Sequence, residues 1–299
     1  MSVETMVAAA VVCPSCHAPL DRSDAAATCS SCGARYDVVE GIPILRPLDV
    51  DPSVAEQAQW FDEAVDNEFE IERPRGMPAL YGRLLESKFR RSIEGLDIAG
   101  ATVLAVCGGS GLDAEFLAGR GAQVISADIS LGAAKRAAER ARRHGVDFLS
   151  IVADTERLPF ADRSVDVVYV HDGLHHIPNP IAGLLEMARV AGRAVCVTEP
   201  ADALVTAVAV KLGLALAREE AGNLVARLRL ADVCGVLQSN GYAIARAQRY
   251  AMYYRHEPGP VMEALSVQPL LPLAQAAYAG LNAVIGRAGN KLVVQAVRR

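Results

Sequence analysis

Residues 103–128 constrain this chain more than any other stretch. Val103-Leu104-Ala105-Val106 is an apolar run of the kind a strand buried on both faces requires. Cys107-Gly108-Gly109-Ser110-Gly111 breaks it, and residues 112–119 then carry Leu112, Phe116 and Leu117 on one helical face. A second apolar run, 123–127, ends on Asp128. A glycine loop between a strand and a helix lets backbone N–H groups approach a ligand closely. An acid at the tip of the next strand accepts both hydroxyls of a ribose. The bland alternative is a tight turn with a solvated Asp128. The unit repeats, with strands expected at 102–106, 123–127, 147–152, 165–170 and 193–199 and helices at 112–119, 130–144 and 180–190. Such alternation argues for an α/β fold with a doubly wound parallel sheet. Right-handed crossovers then bring Gly108, Gly109, Gly111, Asp128, Asp154 and His171 to one sheet edge, where ligands bind.

At 299 residues, 52% hydrophobic and 22% charged, the chain has material for a sizeable core and is not a disordered sequence. Its net charge of −5 gives no global attraction for nucleic acid. The N-terminus lacks the pattern of a secretory signal. The most apolar window, 203–217, is short for a membrane span and contains Lys211, so it reads as a buried helix or lid and no transmembrane segment is expected. Seven cysteines with two close pairs and no signal favour metal over disulfides, and hence the cytoplasm.

The pairs are Cys13-Pro14-Ser15-Cys16 and Cys29-Ser30-Ser31-Cys32, followed by Gly33. Two such knuckles joined by a short loop close a tetrahedral thiolate site for Zn2+. His17 adjoins Cys16 but is not needed as a ligand, since four cysteines satisfy the ion. Residues 36–45 follow as a strand, a turn at Gly41 and a second strand. Over residues 10–47 the chain resembles the zinc-ribbon module of the Trm112 type, which occurs as a separate activator of methyltransferases or fused to the front of one. That resemblance implies a structural or docking role for the metal. Residues 46–75 read as a connector containing one acidic helix over 53–72 with Trp60, Phe61, Phe69 and Ile71, and 81–96 as a further helix. The acidic run and the basic residues of 130–144 both read as solvated faces.

Two later stretches sharpen the ligand. Asp154-Thr155-Glu156-Arg157-Leu158-Pro159-Phe160 follows the third expected strand, where an acid suits an adenine amine. Asp166-Val167-Val168-Tyr169-Val170-His171-Asp172-Gly173-Leu174-His175-His176-Ile177 gives a strand ending in a histidine-rich loop. With the glycine loop and Asp128, the set resembles the class I S-adenosylmethionine-dependent methyltransferases over about residues 80–200. It is most similar to the small-molecule group containing the ubiquinone/menaquinone methyltransferases.

That resemblance implies a seven-stranded Rossmann-like methyltransferase sheet carrying the ribbon, with S-adenosylhomocysteine as the product. The loop of Gly108, Gly109 and Gly111 would wrap the methionine part of the cofactor and Asp128 hold the ribose. Ile129 would lie against the adenine, Asp154 and Thr155 would flank its amine, and His171 would stand near the sulfonium. The helix leading into the domain would fold over the cofactor. His171, Asp172, His175 and His176 are the candidates for a catalytic base. Two positions depart from the family: Ala105 stands where an acid is usual, and Cys107 where the first glycine of the loop is usual.

The chain therefore divides on paper into a ribbon at 1–47, a helical connector at 48–96 and a methyltransferase domain at 97–299. Apolar insertions near 201–222 and 256–288 would form a pocket or lid for a small, partly apolar acceptor, or else a homodimer surface. Residues 228–240 read as a helix stopped by Gly241, 242–254 as a long strand and 291–297 as a closing strand. Three rival functions remain. Gly109-x-Gly111-x-x-Ala114 with Asp128 also fits a nicotinamide-dependent oxidoreductase. An RNA base methyltransferase would share the cysteine module, and a degenerate fold could serve as a docking protein.

Overall fold

The computed structural model describes residues 10–49, 51–63, 67–203, 227–252 and 256–299. The ribbon supplies β1 (Leu20–Arg22), β2 (Ala26–Cys29), β3 (Arg35–Val39) and β4 (Ile42–Leu45). Three helices follow: α1 (Pro52–Glu63), α2 (Asn67–Glu72) and α3 (Ala79–Ile93). The single helix expected over 53–72 is thus described as two, with 64–66 outside the described residues. The alternating region then gives β5 (Thr102–Val106), α4 (Leu112–Ala118), β6 (Gln123–Asp128), α5 (Leu131–His144), β7 (Phe148–Ala153), β8 (Val165–His171), α6 (Pro180–Val190) and β9 (Ala191–Pro200). Last come α7 (Leu230–Ser239), β10 (Tyr242–Tyr250), α8 (Pro260–Ala264), α9 (Leu270–Ile285) and β11 (Lys291–Arg298). The strand expected to reach residue 254 ends at Tyr250, and most of the apolar window 203–217 lies outside the described residues.

The strands form one sheet in the order β1-β2-β3-β4-β7-β6-β5-β8-β9-β11-β10. Strands β7, β6, β5, β8 and β9 run parallel, and β11 and β10 close the sheet antiparallel. These are the seven strands expected from the sequence. The ribbon adds to them: β4 pairs parallel with β7, Ile44 opposite Val152 and Leu45 opposite Ala153. A second tie links Val12 N–H to the Pro159 carbonyl and Ala161 N–H to the Ala10 carbonyl, both at 2.9 Å.

Local chemistry sets the boundaries. Every residue of β5 is buried, as its unbroken apolar run demands. Ser130 caps α5 by accepting the Ala133 N–H, and Gly145 at φ 62° ends it. Asn179 caps α6, with Pro180 in the first turn. Alternate residues feed two cores. Leu104, Ile125, Ile151, Val168 and Val195 pack on one face with Leu184 and Met187. Val103, Ala105, Val124, Val167 and Tyr169 pack on the other with Ala114 and Leu117. One expectation fails on α5: its basic face is not solvated throughout, because Arg136 and Arg140 are buried. Each guanidinium finds fixed carbonyl and side-chain acceptors there, which offsets its desolvation.

Candidate functional site

The carboxyl ends of the parallel strands carry the site. At the end of β5 the chain turns through Cys107 at φ 50°, Gly109 at 51° and Gly111 at 78°. A side chain at Gly108 would put its Cβ 2.3 Å from Ser126 Oγ, and one at Gly111 would meet the Phe148 ring at 2.9 Å. The loop backbone therefore lies directly on β6 and on the start of β7, with Ala137 of α5 equally close to Gly111. Asp128, at the tip of β6, accepts the Gly109 N–H at 2.8 Å and the Ser130 N–H at 3.0 Å. Burial pushes its carboxyl up, against the pull of those two donors and of Arg136. A carboxylate accepts about four hydrogen bonds, so Asp128 retains capacity for a vicinal diol. A glycine cradle with such an acid beside it fits an adenosyl cofactor.

Helix α5 braces this loop from the side. Arg136 donates to Ser110 Oγ at 3.0 Å, and Arg140, with a fully buried side chain, donates to the Ser110 carbonyl at 2.8 Å and to Glu115 at 2.7 Å. Both arginines also reach the leading helices: Arg136 donates to the Phe61 carbonyl at 2.8 Å, and Arg140 to the Glu70 carbonyl. Asp62 on α1 accepts Ser130 Oγ–H at 2.5 Å and the Gly132 N–H at 2.7 Å. A Cβ at Gly132 would come within 2.9 Å of Asp62, so glycine permits the approach. The leading helix thus folds over the edge beside Asp128, with Phe61 set edge-on to His176 at 6.0 Å.

Beyond β7, Asp154 and Thr155 are buried at the edge, with Leu158 and Phe160 in the core beneath. Thr155 Oγ1 lies 3.3 Å from Cys107 Sγ, which links the two loops. At the end of β8 the four catalytic candidates separate into different environments. Against the upward push of burial, Lys291 and Lys88 hold the Asp172 carboxyl well below the usual carboxylate range; Lys88 lies 2.8 Å away. Asp172 is therefore a weak base. Burial and the Lys88 charge lower the pKa of His171, whose Nε2 has no hydrogen-bond partner among the described residues. His176 stacks on His175 with ring centroids 4.1 Å apart.

His175 is the best-oriented of the four. Its Nδ1 lies 2.8 Å from Glu199 Oε2, while Oε1 of the same carboxylate accepts the Gly173 and Leu174 N–H groups at 2.8 Å each. Glu199 is fully buried. The carboxylate makes Nδ1 the donor, which leaves Nε2 as the basic nitrogen. Glu199, Asp62, Arg136 and Asp113 were not singled out from the sequence. The signal for Glu199 was present: an acid at a strand's carboxyl end, as for Asp128.

The four thiols lie apart from this edge in the sequence and together in space. Their sulfurs all fall within 4.8 Å of one another, with Cys13 to Cys32 at 3.7 Å and Cys16 to Cys29 at 3.5 Å. Those spacings exclude disulfides and approach the ~3.8 Å edge of a tetrahedron built on Zn–S bonds of about 2.3 Å. Tyr36 Oη sits 3.3 Å from Cys13 Sγ.

Residues 104–194 match a family model described as a methyltransferase domain. The demethylmenaquinone methyltransferase of Corynebacterium urealyticum is 40% identical over 109 residues, 36% of this chain and 44% of that one. The enzyme of the same name from Renibacterium salmoninarum is 38% identical over 110 residues, 37% of this chain and 42% of that one. The chain thus spans less than half the length of these curated relatives. Among solved structures, magnesium protoporphyrin IX methyltransferase from Synechocystis PCC 6803 with bound SAH has a TM-score of 0.58 at 18% identity, covering 83% of this chain and 100% of that one. The Haloferax volcanii complex containing the Trm112 methyltransferase activator gives 0.53 at 17% identity, covering 81% and 97%. At such identities these two likenesses show the fold. Among the described residues no helix is long and apolar enough to cross a membrane. Fold, glycine-loop edge and sequence match agree: residues 104–194 form a methyltransferase domain with the class I methyltransferase fold.

Proposed function

We propose that the chain transfers the methyl group of S-adenosylmethionine to a small, partly apolar, quinol-like acceptor and releases S-adenosylhomocysteine. The observation that carries this reading is Asp128, which grips the glycine loop through the Gly109 N–H inside the segment that matches the family. The names of the sequence relatives point to the acceptor class. The loop of Gly108, Gly109 and Gly111 holds the methionine part and Asp128 the ribose. Ile129, Asp154 and Thr155 receive the adenine. When bound, the cofactor supplies an electrophilic methyl group for in-line displacement. The chain's task is to align the acceptor and keep water out. Phe61, His176 and helix α1 cover the edge. His175 Nε2 takes the acceptor's proton while Glu199 holds the Nδ1–H. Asp172, ion-paired to Lys88 and Lys291, fixes the loop instead. Cys13, Cys16, Cys29 and Cys32 hold a structural Zn2+, a closed four-thiolate site without an open position for chemistry. Reduced thiols suit a cytoplasmic setting.

Calorimetric titration of the zinc-loaded chain with S-adenosylmethionine, S-adenosylhomocysteine and NAD tests the class. Micromolar binding of the first two, lost on Asp128→Ala, is the expected result. Binding of NAD alone, or no binding at all, would turn the reading toward a nicotinamide or docking function. Transfer of labelled methyl to a reduced naphthoquinone, abolished by His175→Ala, tests the acceptor class.

A further inference from the structure

Strand order decides which way the cofactor's amino-acid arm must run. Strands β7, β6, β5 and β8 lie side by side. With adenine at the end of β7 and ribose on Asp128 at the end of β6, the arm crosses the glycine loop after β5 and heads for the end of β8. It ends in an ammonium and a carboxylate. An ammonium drawn from water into this edge needs an anionic partner.

Strand β5 offers none. Position 105 carries a methyl group, and the Cys107 thiol is directed at Thr155. The nearby carboxylates are engaged. Asp128 holds two backbone N–H groups, Glu199 holds two and His175, and Asp172 lies between two lysines. Asp113 is different. It stands in the first turn of α4, two residues beyond Gly111, with a side chain only 14% exposed. Its Oδ1 lies 3.6 Å from His171 Nδ1, too far for a direct hydrogen bond. That contact sets the carboxylate between the glycine loop and the last residue of β8. The His171 side chain is 1% exposed and its Nε2 has no hydrogen-bond partner among the described residues. A largely dehydrated carboxylate thus faces an underused imidazole at the place where the arm must end.

We propose that Asp113 receives the ammonium of the cofactor's amino-acid arm, with His171 positioned behind it, so that α4 supplies the negative charge that β5 lacks. This rests on the reading of the chain as an S-adenosylmethionine-binding protein, and the test separates the two.

The zinc-loaded chain is titrated calorimetrically with three probes. They are S-adenosylhomocysteine, its analogue lacking only the amino group, and 5′-methylthioadenosine, which lacks the whole arm. Asp113→Asn should weaken S-adenosylhomocysteine about 10- to 100-fold, the loss of one charge-assisted contact. It should leave methylthioadenosine and the desamino analogue within about twofold. Adding Ala105→Asp to Asp113→Asn should recover most of the loss. Unchanged S-adenosylhomocysteine binding in Asp113→Asn overturns the proposal, as does an equal loss for methylthioadenosine. Should that variant fail to fold, the native chain decides: equal affinity for S-adenosylhomocysteine and its desamino analogue overturns the proposal. A native chain that binds neither S-adenosylhomocysteine nor methylthioadenosine refutes the cofactor reading itself.

Discussion

Replacing Gly173 by alanine tests how the two loops of the site are fitted together. A Cβ at Gly173 would stand 2.3 Å from Cys107 Cβ, 3.1 Å from its Sγ and 3.2 Å from Val170 Cγ2. The first of these cannot be relieved by a rotamer change, because a Cβ moves only with its backbone. Overpacking of this kind costs about 1–3 kcal/mol, and the rigid placement of both atoms argues for the upper half, about 2 kcal/mol. In a chain of this size that lowers the melting temperature by roughly 3 °C. Cys107→Gly removes both sulfur-side clashes and suits the left-handed φ of 50° at that position. Alone it loses a buried thiol and its Thr155 contact, so it should be mildly destabilising or neutral. The double variant should be more stable than the sum of the singles by about 1.5 kcal/mol, a coupling that a double-mutant cycle in urea isolates. Thermal melts and urea titrations of the four proteins give the answer. Additive effects, or a Gly173→Ala cost below about 0.5 kcal/mol, would refute the reasoning, because the loops would then be free to part.

Two further outcomes follow from the same geometry. Asp172→Asn removes the carboxylate that lies 2.8 Å from the buried Lys88 ammonium and should cost about 3–5 kcal/mol at pH 7. A carboxyl held below its unfolded value of about 3.9 stabilises the fold above that pH and loses the contribution as pH falls, so the gap to the native chain should hold down to about pH 5 and narrow below about pH 4. Urea titrations across that range check it, and a gap that stays constant to pH 3 refutes it. Removal of zinc with a strong chelator, or Cys29→Ser, should lower the melting temperature, with metal analysis showing a single zinc ion in the native chain and loss in the variant. A metal-free native chain with an unchanged melt would refute the zinc reading.

Much of the fold was legible because it rests on local pattern. Apolar runs gave β5 to β9, and α7 ends just before Gly241, the stop that the sequence offers. The Cys quartet was legible because knuckle spacing alone brings four sulfurs together. What escaped was pairing at a distance. Nothing in Ile44 or Val152 announces that they lie opposite each other. The arginines of α5 read as a solvated face because charge predicts exposure. Only the tertiary fold supplies the Ser110, Phe61 and Glu70 acceptors that make Arg136 and Arg140 interior residues. Glu199 escaped for a similar reason: its three donors come from a loop more than twenty residues earlier. Asp113 offered no signal, since one acid in a helix's first turn is ordinary.

The pairing of β4 with β7 has a consequence for how the chain survives in solution. A doubly wound sheet ordinarily leaves an outermost strand with a row of unmatched N–H and C=O groups, open to any extended chain that drifts by. Here β4 occupies part of that row along β7, and the segment near Val11 lies along Phe160 beside it. The ribbon is therefore a cover on the sheet as well as the carrier of the four thiols. A chain shortened to begin after the ribbon would keep the glycine loop and Asp128, yet would present bare backbone at Val152 and Ala153, inviting self-association before it could display any chemistry.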